Sequence, residues 1–265
     1  MKVIFIDYSV FVHRSIFAWR VSSTKQIPAI YTAATMIFGS LMRTGLSPND
    51  IVIFACDSPK GSWRRDVDPA YKANRKGKRE SFDDINWTEQ FQSFAMLANN
   101  ITEATPFYFL MADKLEADDI IAYGVRHFDD KECIIVSTDS DFEQLLAFPN
   151  VKLFSPVSKQ YKFVKNPYQI LAKKIKKETT DNLITPILTP EDYEKRKSIV
   201  SLLELPSQVE QAAAEALSQI QPKEYDIEHF MFAILRERFH KLYNSDKVVK
   251  YNASKTKRKR KVVSK

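Results

Sequence analysis

Three stretches of the chain are apolar at nearly every position and then stop at an aspartate: VIFID (3–7), IVIFACD (51–57) and CIIVSTD (133–139). Continuous β-branched runs of this length, without polar alternation, are how strands covered on both faces of a parallel sheet read. Between and after them SVFVHRSIFAW, IYTAATMIFGSLMRTG, FQSFAMLANNI and LEADDIIAYGVRHF carry apolar residues at three- and four-residue intervals, which predicts helices. PFYFLMA predicts a weaker strand between the second and third runs, and VKLFSPV with KQYKFV predicts a strand or hairpin at one edge. Strands alternating with helices specify an α/β fold with a doubly wound, mostly parallel central sheet.

From Pro167 the strand signal gives way to helical patterns, PYQILAKKIKK, PEDYEKRKSIVSLLEL, SQVEQAAAEALSQI and DIEHFMFAILRERFHKLY. All five glycines lie in the first half, and apolar periodicity ends near Lys247. The expected organisation is an α/β domain over 1–165, a helical region over 166–246 and a basic disordered tail over 247–265.

Charge sharpens the picture. The formal net charge is +7, but the last eleven residues, KTKRKRKVVSK, carry seven lysines and arginines and no acid, so the rest is neutral overall. Within it the bases gather in YKANRKGKR (71–79) and between Lys159 and Lys177, an asymmetry that suits a polyanionic partner. The two cysteines, Cys56 and Cys133, sit in apolar runs and read as reduced core thiols of an intracellular protein, and the four histidines lack zinc-site spacing. No apolar stretch reaches the ~18 residues of a membrane span, so the expected location is cytoplasmic, with no membrane partner.

The aspartates that close the three strands, Asp7, Asp57 and Asp139, are candidates for one site, because ligands of open α/β sheets bind outside the carboxyl ends of the strands. Asp141 follows Asp139 by two, and EADD brings Glu116, Asp118 and Asp119 to a helix start, where Glu116 and Asp119 share a face and Asp118 points elsewhere. So many carboxylates repel one another unless they take up protons or cations. Oxygen-only ligands select hard divalent ions such as Mg²⁺ or Mn²⁺. With basic segments nearby, the chemistry suggested is phosphodiester hydrolysis by two ions about 4 Å apart, with Asp139 placed to serve both.

FIDYS, IFACDSPKGSWRRDVDPAYKANRKGKRE, EADDIIA, STDSDFEQLL and TTDN, in this order, resemble the 5′-nuclease superfamily that includes flap endonucleases and the 5′-nuclease domain of bacterial DNA polymerases, its phage ribonuclease H type above all. The resemblance covers about residues 1–182. It implies a Mg²⁺-dependent 5′–3′ exonuclease or flap endonuclease acting on RNA primers and 5′ flaps during replication. Its two Mg²⁺ ions, replaceable by Mn²⁺, would be held by Asp7, Asp57, Glu116, Asp118, Asp119 and Asp139 and by Asp141, Glu178 and Asp181. It further implies that Lys72 and Arg75 act on the scissile phosphate. Arg64, Arg65, Tyr71, Lys76, Lys78 and Arg79 would contact nucleic acid beside them.

The same resemblance makes ESFDDINWTEQFQSF an arch over the single strand, whose Phe82, Trp87 and Phe91 stack bases or pack a helix. It also implies DNA and RNA–DNA hybrid as partners, a monomer, and replication proteins (polymerase, clamp or single-strand-binding protein) as further partners in a host cytoplasm. Two departures stand out. Lys177 and Glu178 replace the family's glycine and aspartate, and NLITPILTPEDYEKRK contains no glycine where a helix-hairpin-helix grips duplex, so a reduced grip is expected. The competing readings are a branched-DNA-binding protein with weak cleavage and a PIN-type single-strand ribonuclease.

Overall fold

The structure, a computed structural model, describes residues 1–22, 27–75, 77, 81–177, 181–183 and 186–220. Six strands, β1 (Lys2–Asp7), β2 (Ile51–Ala55), β3 (Tyr108–Leu110), β4 (Glu132–Val136), β5 (Val151–Ser155) and β6 (Gln160–Lys162), form one sheet in the order β3-β2-β1-β4-β5-β6. All neighbours are parallel except the β5–β6 hairpin at the edge. The sheet is therefore doubly wound and mostly parallel, as the uninterrupted apolar runs require.

Alternation within those runs divides the core. Val3, Phe5, Ile51, Ile53, Cys133 and Ile135 face one helical layer, while Ile4, Ile6, Val52, Phe54, Ile134 and Val136 face the other. The second layer holds α1 (Tyr8–Arg20), α2 (Ala29–Arg43) and, after the short α3 (Arg64–Val67), α4 (Trp87–Ala104). The first layer holds α5 (Ala117–His127) and α8 (Ser207–Leu217), which pack together over the sheet. A 3₁₀ turn over Asp141–Ala147 leads towards the hairpin, and α6 (Tyr168–Lys177) and α7 (Pro190–Val200) form a small satellite core with Tyr71 and Leu183. Among the described residues no helix is long and apolar enough to cross a membrane.

The α5–β1 contact has no spare room. A β-carbon on Gly124 would stand 2.5 Å from Phe5 Cε1, inside the core. Alanine returns up to about 1 kcal/mol of helix propensity, but overpacking a filled core costs about 1–3 kcal/mol. Gly124→Ala should therefore lower the urea midpoint; an unchanged midpoint would show that helix and strand are not in contact as described.

Phe82, Trp87 and Phe91 are held by packing. The Phe82 ring meets Phe17 of α1 edge-on at 5.2 Å, and Trp87 and Phe91 stack at 5.8 Å against the same core layer. The expected helix within 226–243 and the tail over 247–265 lie outside the described residues.

Candidate active site

Parallel pairing puts the carboxyl ends of β1, β2 and β4 along one edge of the sheet. Chain order reverses between β1 and β4, which opens a crevice there. Asp7 closes β1 and caps α1, accepting from Val10 N at 3.3 Å and from Ser137 Oγ at 2.8 Å. Asp57, two residues past β2, accepts from Ser9 Oγ at 2.7 Å and from Ala117 N, at the start of α5, at 2.9 Å. Asp139, past β4, accepts the Asp141 amide at 2.9 Å. With Asp118 of α5, Asp141 and Asp181 they line one cavity of about 300 Å³, together with Lys72, Arg75, Lys174 and His13.

Cations of the chain face these acids. Lys72 Nζ donates to Glu116 Oε1 at 2.7 Å, Arg75 Nη2 to Asp181 Oδ1 at 2.8 Å, and Lys174 Nζ to Asp141. Lys72 itself holds a left-handed backbone (φ 53°), anchored where its amide donates to the Asp181 carbonyl at 2.7 Å.

Burial pushes Asp7 up to about 7, reinforced by the charges of Asp57 and Asp139 against the Ser137 hydrogen bond. Burial also raises Asp141 to about 6, with Asp139 and Asp181 adding to it and Lys174 opposing. Asp118 is raised as well, by burial first and then by Asp139, Asp7 and Glu116 against Lys72. Burial alone would raise Glu116, but Lys72 and Arg64 outweigh it and hold it low. The repulsions fall into two overlapping sets, Asp7, Asp57, Glu116, Asp118 and Asp139 in one and Asp139, Asp141 and Asp181 in the other, with Asp139 common to both.

A raised carboxyl binds its proton more tightly folded than unfolded, so its stabilising contribution is complete near pH 4 and is lost as pH rises through 6 and 7. With EDTA present, the melting temperature should fall between pH 5 and 8, and Asp7→Asn should remove much of that slope. A slope unaltered by the substitution would place Asp7 outside the acidic crevice.

The sequence profile of the family described as "5′-3′ exonuclease, N-terminal resolvase-like domain" matches residues 2–180. The chain belongs to this family. It is 33% identical over 138 residues to Ribonuclease H of Enterobacteria phage T4, a match covering 50% of this chain and 45% of that protein, so the aligned part spans less than half of the relative. Two solved structures share the fold: a T5 5′-exonuclease with bound zinc (TM-score 0.62, 19% identity, 89% of this chain and 99% of that one) and a T5 flap endonuclease in a pseudo-enzyme–product complex with DNA and metal ions (0.59, 18%, 89% and 98%).

Not every residue singled out in this exonuclease-family sequence reaches the crevice. Asp119 is wholly buried on a different face of α5 from Asp118, accepting two bonds from Arg64 (2.7 and 3.0 Å), one from Trp63 Nε1 (3.1 Å) and one from the Glu116 amide (2.9 Å). Arg64 and Tyr71, expected beside nucleic acid, are both buried. Arg64, 2% exposed, also binds Glu116 and the Ile199 carbonyl of α7, and the Tyr71 hydroxyl donates to Glu116 at 2.8 Å. Arg65 is exposed but does not line the cavity. Glu178, Lys76, Lys78 and Arg79 lie outside the described residues.

Conversely, Ser9, His13, Ser137 and Lys174 were not singled out. Hydroxyl residues next to strand-end acids and a lysine one turn before TTDN were the available signals.

Among the described residues no three His, Cys, Asp or Glu side chains stand close enough to hold an ion as arranged, and hydroxyls, amides, lysines and arginine meet several of the carboxylate oxygens. The donor set nevertheless fits hard divalent cations: six aspartates on one cavity, at least three of them raised by burial and mutual repulsion that a cation would relieve.

Proposed function

We propose that this chain is a divalent-metal-dependent 5′-nuclease that removes RNA primers or 5′ flaps from duplex DNA during replication, leaving 5′-phosphate products. The observation that carries the reading is the convergence of six aspartates with Lys72 and Arg75 on one cavity at the carboxyl edge of the sheet. The metal- and DNA-bound T5 structures of the same fold support it. Two Mg²⁺ ions, or Mn²⁺ in their place, would supply water activation and charge neutralisation at the leaving oxygen. Asp7, Asp57, Glu116, Asp118 and Asp139 would hold one, and Asp141, Asp181 and Glu178 the other, with Asp139 shared.

The chain's own cations have a separate part. Lys72 and Arg75 line the cavity and meet Glu116 and Asp181, and each has a scissile phosphate as an alternative partner once those acids are neutralised. Their positive charge then faces the charge that grows on the phosphoryl oxygens in the transition state. The left-handed backbone at Lys72, tied to the Asp181 carbonyl, fixes where that side chain starts. Duplex DNA and RNA–DNA hybrid with 5′ ends or flaps are the proposed partners, and a monomer is the proposed state.

Incubation of the full chain with a 5′-flapped duplex and Mg²⁺ should give cleavage at the junction that EDTA abolishes. Lys72→Ala should slow single turnover about a hundredfold, the scale for removing one donor from a charge-stabilising site, with affinity changed only a few-fold. Absence of cleavage on flap, nick and hybrid substrates alike would refute the reading. Cleavage of linear single-stranded RNA in preference to forked DNA would replace it with the PIN-type alternative.

A further inference from the structure

Pro156 to Lys176 carries six lysines and no acid. This stretch contains the outer edge of the sheet, β6, and runs on into α6. Three aromatic rings stand out along it, with Phe163 90%, Tyr168 64% and Tyr161 46% exposed, and Lys159, Lys165, Lys173 and Lys176 are exposed among them. Lysines on an edge strand are an ordinary device against strand-to-strand association. That device does not account for a phenylalanine left almost wholly in water beside them, which is a liability unless something covers it.

The strip is fixed to the candidate active site at two points. Lys162 Nζ donates to Glu143 Oε1 at 2.8 Å and Lys174 Nζ to Asp141, and both acids belong to the 3₁₀ turn that enters the cavity. With Lys162 turned inward, the two-residue alternation of the strand sends Tyr161 to the other side, and Phe163, just past the strand, stands in solvent. The Tyr161 ring is steadied edge-on by Phe154 at 5.3 Å. Tyr168 begins α6, about 9 Å along the axis from Lys174 at a rise of about 1.5 Å per residue.

We infer that this strip is a platform for single-stranded nucleic acid, with bases stacked on Phe163 and Tyr168 and phosphates set against Lys159, Lys165 and Lys176. A lysine-rich, acid-free surface selects a polyanion. Exposed rings select one whose base faces are open, which excludes a fully paired duplex. The platform extends the nuclease reading to the strand flanking the cavity, but its binding does not depend on cleavage.

The test is fluorescence anisotropy of a labelled oligothymidylate and a duplex of matched length, with the full chain and EDTA. Phe163→Ala and Tyr168→Ala should each weaken oligothymidylate binding about tenfold and leave the duplex nearly unchanged. Phe163→Leu, which keeps apolar bulk but loses the ring, should behave like Phe163→Ala. Lys165→Glu should lower the salt slope for the oligothymidylate by about one or more. Wild-type affinity in the aromatic variants, full rescue by leucine, or equal losses on duplex would overturn the platform. A chain that binds the oligothymidylate by these residues yet cleaves nothing would keep the platform and remove the nuclease.

Discussion

Asp118→Asn is expected to leave a folded protein that binds a 5′-flapped duplex and cleaves it about a thousandfold more slowly, the size of losing about 4 kcal/mol of metal-borne charge stabilisation. The substitution keeps shape and removes a charge from a group that lines the cavity and is repelled by Asp139, Asp7 and Glu116. Because neutralising one of these acids also relieves that repulsion, the metal-free variant should melt no lower than the parent. Single-turnover rates at saturating Mg²⁺, set beside melting curves in EDTA, check both halves. A variant that cuts at the parental rate would exclude Asp118 from the machinery.

The neighbouring acid has the opposite profile. Asp119→Ala should destabilise the fold by about 3–5 kcal/mol, the cost of stripping one partner from a buried ion pair. Arg64 would keep only Glu116 and the Ile199 carbonyl, and Trp63 Nε1 would lose its acceptor. Against a total stability of about 5–15 kcal/mol this is a large fraction, readable as a fall in the urea midpoint. Arg64→Met combined with Asp119→Leu should recover much of the loss, since apolar groups of similar volume can replace such a pair. If Asp119→Ala were as stable as the parent yet inactive, Asp119 would be a site residue and not a core one.

These adjacent aspartates show where sequence stops being informative. Helical spacing groups Glu116 with Asp119, and the structure agrees, since both meet Arg64. What spacing leaves open is which side of α5 faces the strand ends, and only the family motif pointed to Asp118. The three strand-end aspartates were legible because unbroken apolar runs fix strand direction and hence the edge at which each run stops. The hairpin at the far edge was legible from two shorter runs, VKLFSPV and KQYKFV, rich in β-forming residues and close together in the chain.

Arg64 was illegible. WRR reads as surface charge until its partners arrive from 52, 55 and 135 residues along the chain. Lys174 was hidden differently, as one base in a lysine-rich stretch, distinguished only by the helix face that turns it towards Asp141.

Helix α8 rests on α5, and Leu202, Leu205, Val209, Ala213 and Leu217 complete the apolar layer beneath which Phe5 and Ile121 lie. The region matched by the family ends at residue 180, before any of these side chains. A polypeptide trimmed to that homology boundary would present a bare, greasy flank and lose the buttress behind the helix that carries Asp118, so expression of the trimmed piece should yield insoluble material, and excision of a minimal nuclease must extend past Leu217.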